Sequence, residues 1–182
     1  EMVLLNAWKL EGYRLASEPG DTDLTPLGIV QEPSGNFNMD IQFPSPTPIL
    51  LPEKTKPDLI MGSFSGEVFF SPNKSSHAGE LVFERQKRVM CRDTIFRLGG
   101  FAVPAFGDLT GNGRQDLVVG VEDGEIYYIE NKGTAVEPSW AAPELIEADG
   151  EPIRITAGYG GDIQGPGERL HGDACPGLSD WT

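Results

Sequence analysis

The chain is 182 residues long, enough for a domain with its own core, and its 23 glycines and 15 prolines predict many turns. Its 28 acidic and 14 basic residues give a formal charge of −14, which argues against a nucleic-acid partner or an anionic membrane surface, since no basic stripe exists to neutralise phosphates. No apolar run approaches the roughly 18–20 residues that span a bilayer, and Cys91 and Cys175 form no C-x-x-C pair, so zinc-finger and thioredoxin-like chemistry are out.

The first residue is Glu1 and no basic-then-apolar leader follows it, so the chain reads as a processed protein or an excerpt of a longer one. Residues 1–43 are predicted to be a diverged or partial preceding unit. From there an internal repeat organises the chain. Pro57-Asp58-Leu59-Ile60-Met61-Gly62 lies 58 residues before Gln115-Asp116-Leu117-Val118-Val119-Gly120. The match continues without a gap, placing Gly66-Glu67 on Gly124-Glu125 and Asn73-Lys74 on Asn131-Lys132. Two units follow from it, 44–101 and 102–159. A third copy starts 72 residues after the second, with Cys175-Pro176 on Val103-Pro104 and Asp180 on Asp108, so 14 residues are inserted between Tyr159 and Pro176. Residues 160–182 therefore read as a long loop and the start of a truncated next unit. Cys91 and Cys175 fall at different points of the repeat, which leaves a disulfide between them possible but unsupported.

Within each unit the pattern is that of strands. Leu117-Val118-Val119 is apolar on consecutive positions, as in a strand covered on both faces. Asp123-Gly124 signals a hairpin whose second arm is 125–130, ended by Asn131-Lys132-Gly133. Further strands are predicted near 144–147 and 152–156, and no segment keeps a 3.6-residue apolar spacing. The expected fold is all-β: β-propeller blades of about four antiparallel strands, in a ring that this chain supplies incompletely. The remaining blades would belong to a longer chain.

The loop before the buried strand carries the chemistry. Asp108, Thr110, Asn112 and Asp116 put side-chain oxygens at positions 1, 3, 5 and 9, with Gly113 at position 6. Alternating oxygen ligands and a glycine at the sharp bend suit a hard cation such as Ca2+. An EF-hand is excluded because position 12 is Val119 rather than a bidentate Glu. The alternative is a metal-free turn in which the Asp and Asn oxygens cap backbone amides.

Loop, strand and hairpin together, from Phe106-Gly107-Asp108 through Gly124-Glu125-Ile126-Tyr127-Tyr128 to Asn131-Lys132-Gly133, resemble the FG-GAP or VCBS repeats of integrin alpha propellers and many secreted bacterial proteins. The resemblance covers about residues 37–182 and is strongest over 102–133. It implies a calcium-binding propeller outside the cytoplasm, with side-chain oxygens from Asp108, Thr110, Asn112 and Asp116 and the backbone carbonyl of Arg114 around the ion. Thr110 and Asn112 stand where the family more often has Asp. With two formal charges at the site, binding is expected near the roughly 0.1–1 mM of extracellular modules. In the preceding unit Leu50, Pro52 and Lys54 replace Asp108, Thr110 and Asn112 while Asp58 remains, so no metal is expected there. The Lys54 ammonium is expected beside Asp58 as a substitute cation. Asp180 and Thr182 alone cannot hold an ion.

The other chemistry is sparse. His77 and His171 are the two histidines, and His171 falls in the inserted loop with Glu168, Arg169 and Asp173. That polar cluster is a candidate ligand contact, set against a simple exposed loop. Phe70, Tyr127, Tyr128 and Trp140 are assigned to packing between sheets rather than to sugar stacking, and Trp8 is unplaced. Asn73-Lys74-Ser75 is a glycosylation sequon expected to be exposed at a hairpin end. The function that follows is a secreted or cell-surface interaction module for a polysaccharide or a surface protein. The alternatives are part of a polysaccharide-degrading enzyme such as a propeller-type lyase, and a scaffold beside a catalytic domain.

Overall fold

The computed structural model describes residues 2–6, 9–15, 23–37, 41–42, 44–156 and 172–178. Among them the chain is all-β, with no helix. Strands β1 (Met2–Asn6), β2 (Lys9–Leu15) and β3 (Leu24–Ile29) form an antiparallel sheet, and β4 (Gln31–Glu32) pairs with β5 (Gly35–Asn36). Strands β6 (Ser45–Ile49), β7 (Asp58–Gly62), β8 (Val68–Ser71) and β9 (Lys87–Arg88) form a four-stranded antiparallel sheet, followed by the hairpin β10 (Met90–Cys91) and β11 (Thr94–Ile95). The order then recurs: β12 (Val103–Gly107), β13 (Asp116–Gly120), β14 (Ile126–Ile129) and β15 (Glu144–Leu145) form a second such sheet, and β16 (Glu147–Ala148) pairs with β17 (Glu151–Pro152).

The two four-stranded sheets agree residue by residue. Ile49 pairs with Asp58 and Gly107 with Asp116; Gly62 pairs with Val68 and Gly120 with Ile126. These partners stand 58 residues apart. The offset falls to 57 at the fourth strand, where Phe69 meets Arg88 and Tyr127 meets Leu145, so one residue is absent from the second copy of the preceding loop. The expected strand over 144–147 is two short strands, β15 and β16, that belong to different sheets. The expected strand over 152–156 is confined to Glu151–Pro152, with Arg154 making an isolated bridge to Glu125.

Alternation along β7 explains why its apolar residues run consecutively. Leu59 and Met61 face one way, into a cluster with Leu10, Val30, Phe69, Leu81 and Phe83 that joins the N-terminal sheet. Ile60 faces the other way, into a cluster with Ile49, Val68, Leu117, Val119 and Ile129 that joins the two four-stranded sheets. A strand buried on both faces keeps a side chain out of water at every position, each contributing about 1.5–3 kcal/mol. Phe70, Phe106, Tyr127 and Trp140 pack on the second cluster, and Trp140 meets Phe106 edge-to-face at 5.8 Å. Packing between sheets is thus where Phe70, Tyr127 and Trp140 lie, whereas Tyr128, on the opposite face of β14, is not part of that cluster.

Backbone contact sets the spacing of the sheets. A Cβ on Gly62 would lie 1.8 Å from the Ala102 carbonyl oxygen, and one on Gly120 would lie 2.0 Å from that of Ala174. Both glycines end the second strand of their sheet, and the next stretch of chain crosses directly over them. The Ala102 N–H donates to Ser63 O, and the Ala174 N–H to Val121 O. Residues 172–178 therefore lie against the second sheet as residues 100–106 lie against the first. The first strands are also joined: Ser45 Oγ donates to Ala102 O at 2.7 Å and Thr47 Oγ1 to Pro104 O at 3.0 Å. Among the described residues the sheets do not close into a barrel or ring.

Candidate functional site

The corner between β12 and β13 begins as a turn shaped by glycine. Gly111 and Gly113 take positive φ of 69° and 79°, a region that L side chains occupy only at a cost. The turn is held by the side chains that the sequence singled out. Asp108 accepts the Asn112 N–H on Oδ1 at 3.1 Å and the Gly113 N–H on Oδ2 at 2.7 Å. Asn112 Oδ1 accepts the Arg114 N–H at 2.8 Å. Asp108 and Thr110 are exposed, whereas Asp116 is fully buried at the start of β13. Its Oδ1 accepts the Asn131 N–H at 2.9 Å and its Oδ2 accepts the Leu109 N–H at 3.3 Å. Arg114 turns its guanidinium outward, with Nε donating to Asn131 O at 2.8 Å and NH2 lying 4.0 Å from Glu130. Its side chain thereby ties the corner to the turn after β14.

Electrostatics follow from these contacts. The Gly113 N–H holds the Asp108 carboxyl below the usual aspartate range; partial desolvation opposes it, and the amides of Asn112, Gly111 and Thr110 add to it. Asp108 is therefore an anion at any physiological pH. Tyr128, on the strand beside Asp116, is pushed up to about 12, first by burial of its hydroxyl and then by the Asp116 charge. That hydroxyl lies beside the Asp116 carboxylate, which favours the neutral phenol, although the pair falls short of full hydrogen-bond geometry.

The donors are all oxygens on one nine-residue turn: two carboxylates, one hydroxyl, one amide and a backbone carbonyl. A carboxylate offers about four lone-pair positions, and the amide bonds to Asp108 and Asp116 take up two in each. The residues thus fit a hard cation in donor type and in order along the turn. Among the described residues no three His, Cys, Asp or Glu side chains gather into a metal-binding group, so Thr110, Asn112 and the Arg114 carbonyl would have to complete any shell.

The equivalent corner of the first sheet answers the same problem differently. Asp58 is fully buried, like Asp116, and accepts the Asn73 N–H on Oδ1 at 2.7 Å, as Asp116 accepts that of Asn131. Its Oδ2 is 2.5 Å from Lys54 Nζ. Lys54 stands in the register of Asn112. Glu53, in the register of Gly111, keeps the left-handed backbone at φ 67°. Thr55, in the register of Gly113, does not. The Lys54 expectation is met, and the chain has an ammonium where the second corner has an amide oxygen.

Other sequence expectations fare variously. Asn73 is half-buried, with its amide donating to Pro57 O and accepting the Ser75 N–H, so the sequon asparagine is engaged in the fold rather than freely exposed. Cys91 and Cys175 are both free thiols. Asp173 is exposed with φ 40°, and its N–H donates to Glu122 O. Trp8, the rest of the inserted loop with Glu168, Arg169 and His171, and the third loop with Asp180 and Thr182 lie outside the described residues. Sequence reasoning missed Asn131 and Tyr128 as partners of the corner; the recurrence of Asn73 and Asn131 after each apolar strand was the available signal. No protein-family model matches the chain, nor does any curated protein or solved structure.

Proposed function

We propose that the chain contributes blades of a calcium-binding β-propeller of the FG-GAP/VCBS kind, and that it acts as a secreted or cell-surface binding module for a glycan or a surface protein. One comparison carries the reading. Two buried aspartates occupy the same place in successive sheets; Asp58 is paired with an ammonium, whereas Asp116 has no lysine or arginine within ion-pair distance among the described residues. Asp116 instead shares its turn with Asp108, Thr110, Asn112 and the Arg114 carbonyl. A bound Ca2+ would neutralise there what Lys54 neutralises in the preceding corner, and its role would be structural. The agreement of the two sheets in order and register, and the close approach of β6 to β12, support successive blades around a common axis.

The test is calcium binding by calorimetry together with thermal unfolding. With Kd at about 0.1–1 mM, calcium at about 10 mM stabilises the protein by about 1.4–2.7 kcal/mol. Asp108→Ala removes both the heat and the stabilisation. Equal heats in the two proteins overturn the site.

A further inference from the structure

The corner at 50–58 lacks the oxygen side chains of its counterpart and carries Lys54 and Lys56 against Glu53 and Asp58, so it is formally neutral where residues 108–116 carry −1. Lys54, Lys56 and Lys74 border an open depression of about 500 Å3 there, together with Thr55, Asn73, Ser75, Ser76 and one carboxylate, Glu53, so that the lining carries three cations against one anion. The same register in the second sheet holds Asn112, Arg114 and Lys132, beside the anionic Asp108. A change of sign appears at the level of the whole unit. Residues 44–101 carry eight of the 14 Lys and Arg but six of the 28 Asp and Glu, a balance of +2; the remainder carries six against 22, or −16. The net charge of the rest of the chain repels an approaching anion, and that of this unit does not.

We propose that the corner formed by residues 53–56 and 73–76 is a binding site for an anionic group, a sulfate ester or a uronate carboxylate, of an acidic polysaccharide. The inference rests on the reading of the chain as a glycan-binding module. The Lys56 ammonium is fixed across the depression by the carbonyls of Ser75, at 2.6 Å, and His77, at 3.1 Å; Glu80, which accepts the Ser76 and His77 amides, feels its charge, but no carboxylate lies within ion-pair distance of it among the described residues. An ammonium has three donors, so one remains for a ligand. Lys54 and Lys74 each use a donor on a carboxylate, Asp58 and Glu84, and keep two. Point charges on flexible stems, with no guanidinium fork and no helix N-terminus, suit a singly presented sulfate or uronate on a mobile polymer better than a planar bidentate partner. The −16 on the rest of the chain argues against a nucleic acid, whose evenly spaced phosphates would extend beyond the corner into repulsion.

The probe is a heparin-derived hexasaccharide, titrated into the purified protein by calorimetry at low and physiological salt. We expect Lys56→Gln/Lys74→Gln to weaken binding at least tenfold and Lys132→Gln/Arg154→Gln, a charge-matched change on the other sheet, to alter it less than twofold. Salt should weaken binding to the wild type and much less to the lysine variant. Because Lys56 also ties two carbonyls, Lys74→Gln alone is included; it should retain the wild-type melting temperature and weaken binding about threefold. Equal affinity in wild type and both lysine variants overturns the site, as does no binding to the wild type, or tighter binding of a single-stranded oligonucleotide of equal charge. Calcium titration of the lysine variants keeps the two claims apart, because the heats at the 108–116 corner should be unchanged whichever way the sugar result falls.

Discussion

Substituting Lys54 by methionine keeps most of the stem and removes the ammonium that lies 2.5 Å from Asp58 Oδ2. Asp58 is 0% exposed and Lys54 39% exposed, so one partner is dry and the other reaches water. Breaking a fully buried pair costs about 3–5 kcal/mol and a fully exposed one about 0.2–1 kcal/mol. The mixed case lies between them, at about 1–3 kcal/mol. Asp58 would keep the Asn73 N–H as its remaining partner, which prevents the upper limit. For a chain of this size each kcal/mol moves the melting temperature by about 2–4 °C, so a fall of roughly 2–12 °C is expected. Asp58→Asn retains an oxygen that can accept the Asn73 N–H, and the double variant Lys54→Met/Asp58→Asn should recover most of the loss, because removing both partners leaves no buried charge. Urea unfolding of the four proteins closes the cycle and should return a coupling of about 1 kcal/mol or more. A Lys54→Met protein within about 0.5 kcal/mol of wild type would refute the substitute-cation argument, and with it the comparison on which the calcium site rests.

Two further outcomes follow from the packing and the tyrosines. Gly62→Ala puts a methyl 1.8 Å from the Ala102 carbonyl and should destabilise by about 3 kcal/mol or more, whereas Gly111→Ala, with open space around it but φ at 69°, should cost only about 1–2 kcal/mol in denaturant melts. If the two variants melt alike, the backbone crossing is not what spaces the sheets. Alkaline titration followed by ultraviolet absorbance should show Tyr127 and Tyr128 ionising near 12, Tyr127 chiefly through burial and then through its 2.8 Å hydrogen bond to Glu125. Since the folded-state values are raised, the neutral phenols stabilise the fold fully below about pH 10 and that contribution is lost as pH rises toward 12. Tyr127→Phe and Tyr128→Phe should each remove one phenol from the late phase; a single transition near 10 in wild type would contradict the burial.

The corner was legible in the sequence because its information is local. Asp108, Asn112 and Gly113 bond to one another within six residues, and an alternation of oxygen side chains ending in glycine signals such a turn without knowledge of the rest of the chain. The repeat was legible for the same kind of reason: the runs Leu59-Ile60-Met61 and Leu117-Val118-Val119, each followed by a hairpin glycine, encode strands buried on both faces. Other features had no local signal. Tyr128 is paired with Val118 across two strands, and the one-residue slip at β9 and β15 arises in a loop whose length the turn residues do not reveal.

What the sequence determined alone was therefore the paired strands at 58–71 and 116–129 with their 58-residue spacing, and the run of oxygen-bearing side chains in the turn at 108–116. Only the tertiary structure decided that Lys54 closes on Asp58, that Asn73 is consumed by Pro57 and Ser75, and that the chain from Ala102 and from Ala174 crosses bare glycine backbone. The division has one physical cause. Periodicity and turn chemistry act over a few residues, whereas burial and ion pairing depend on which distant stretch of chain arrives at the same place.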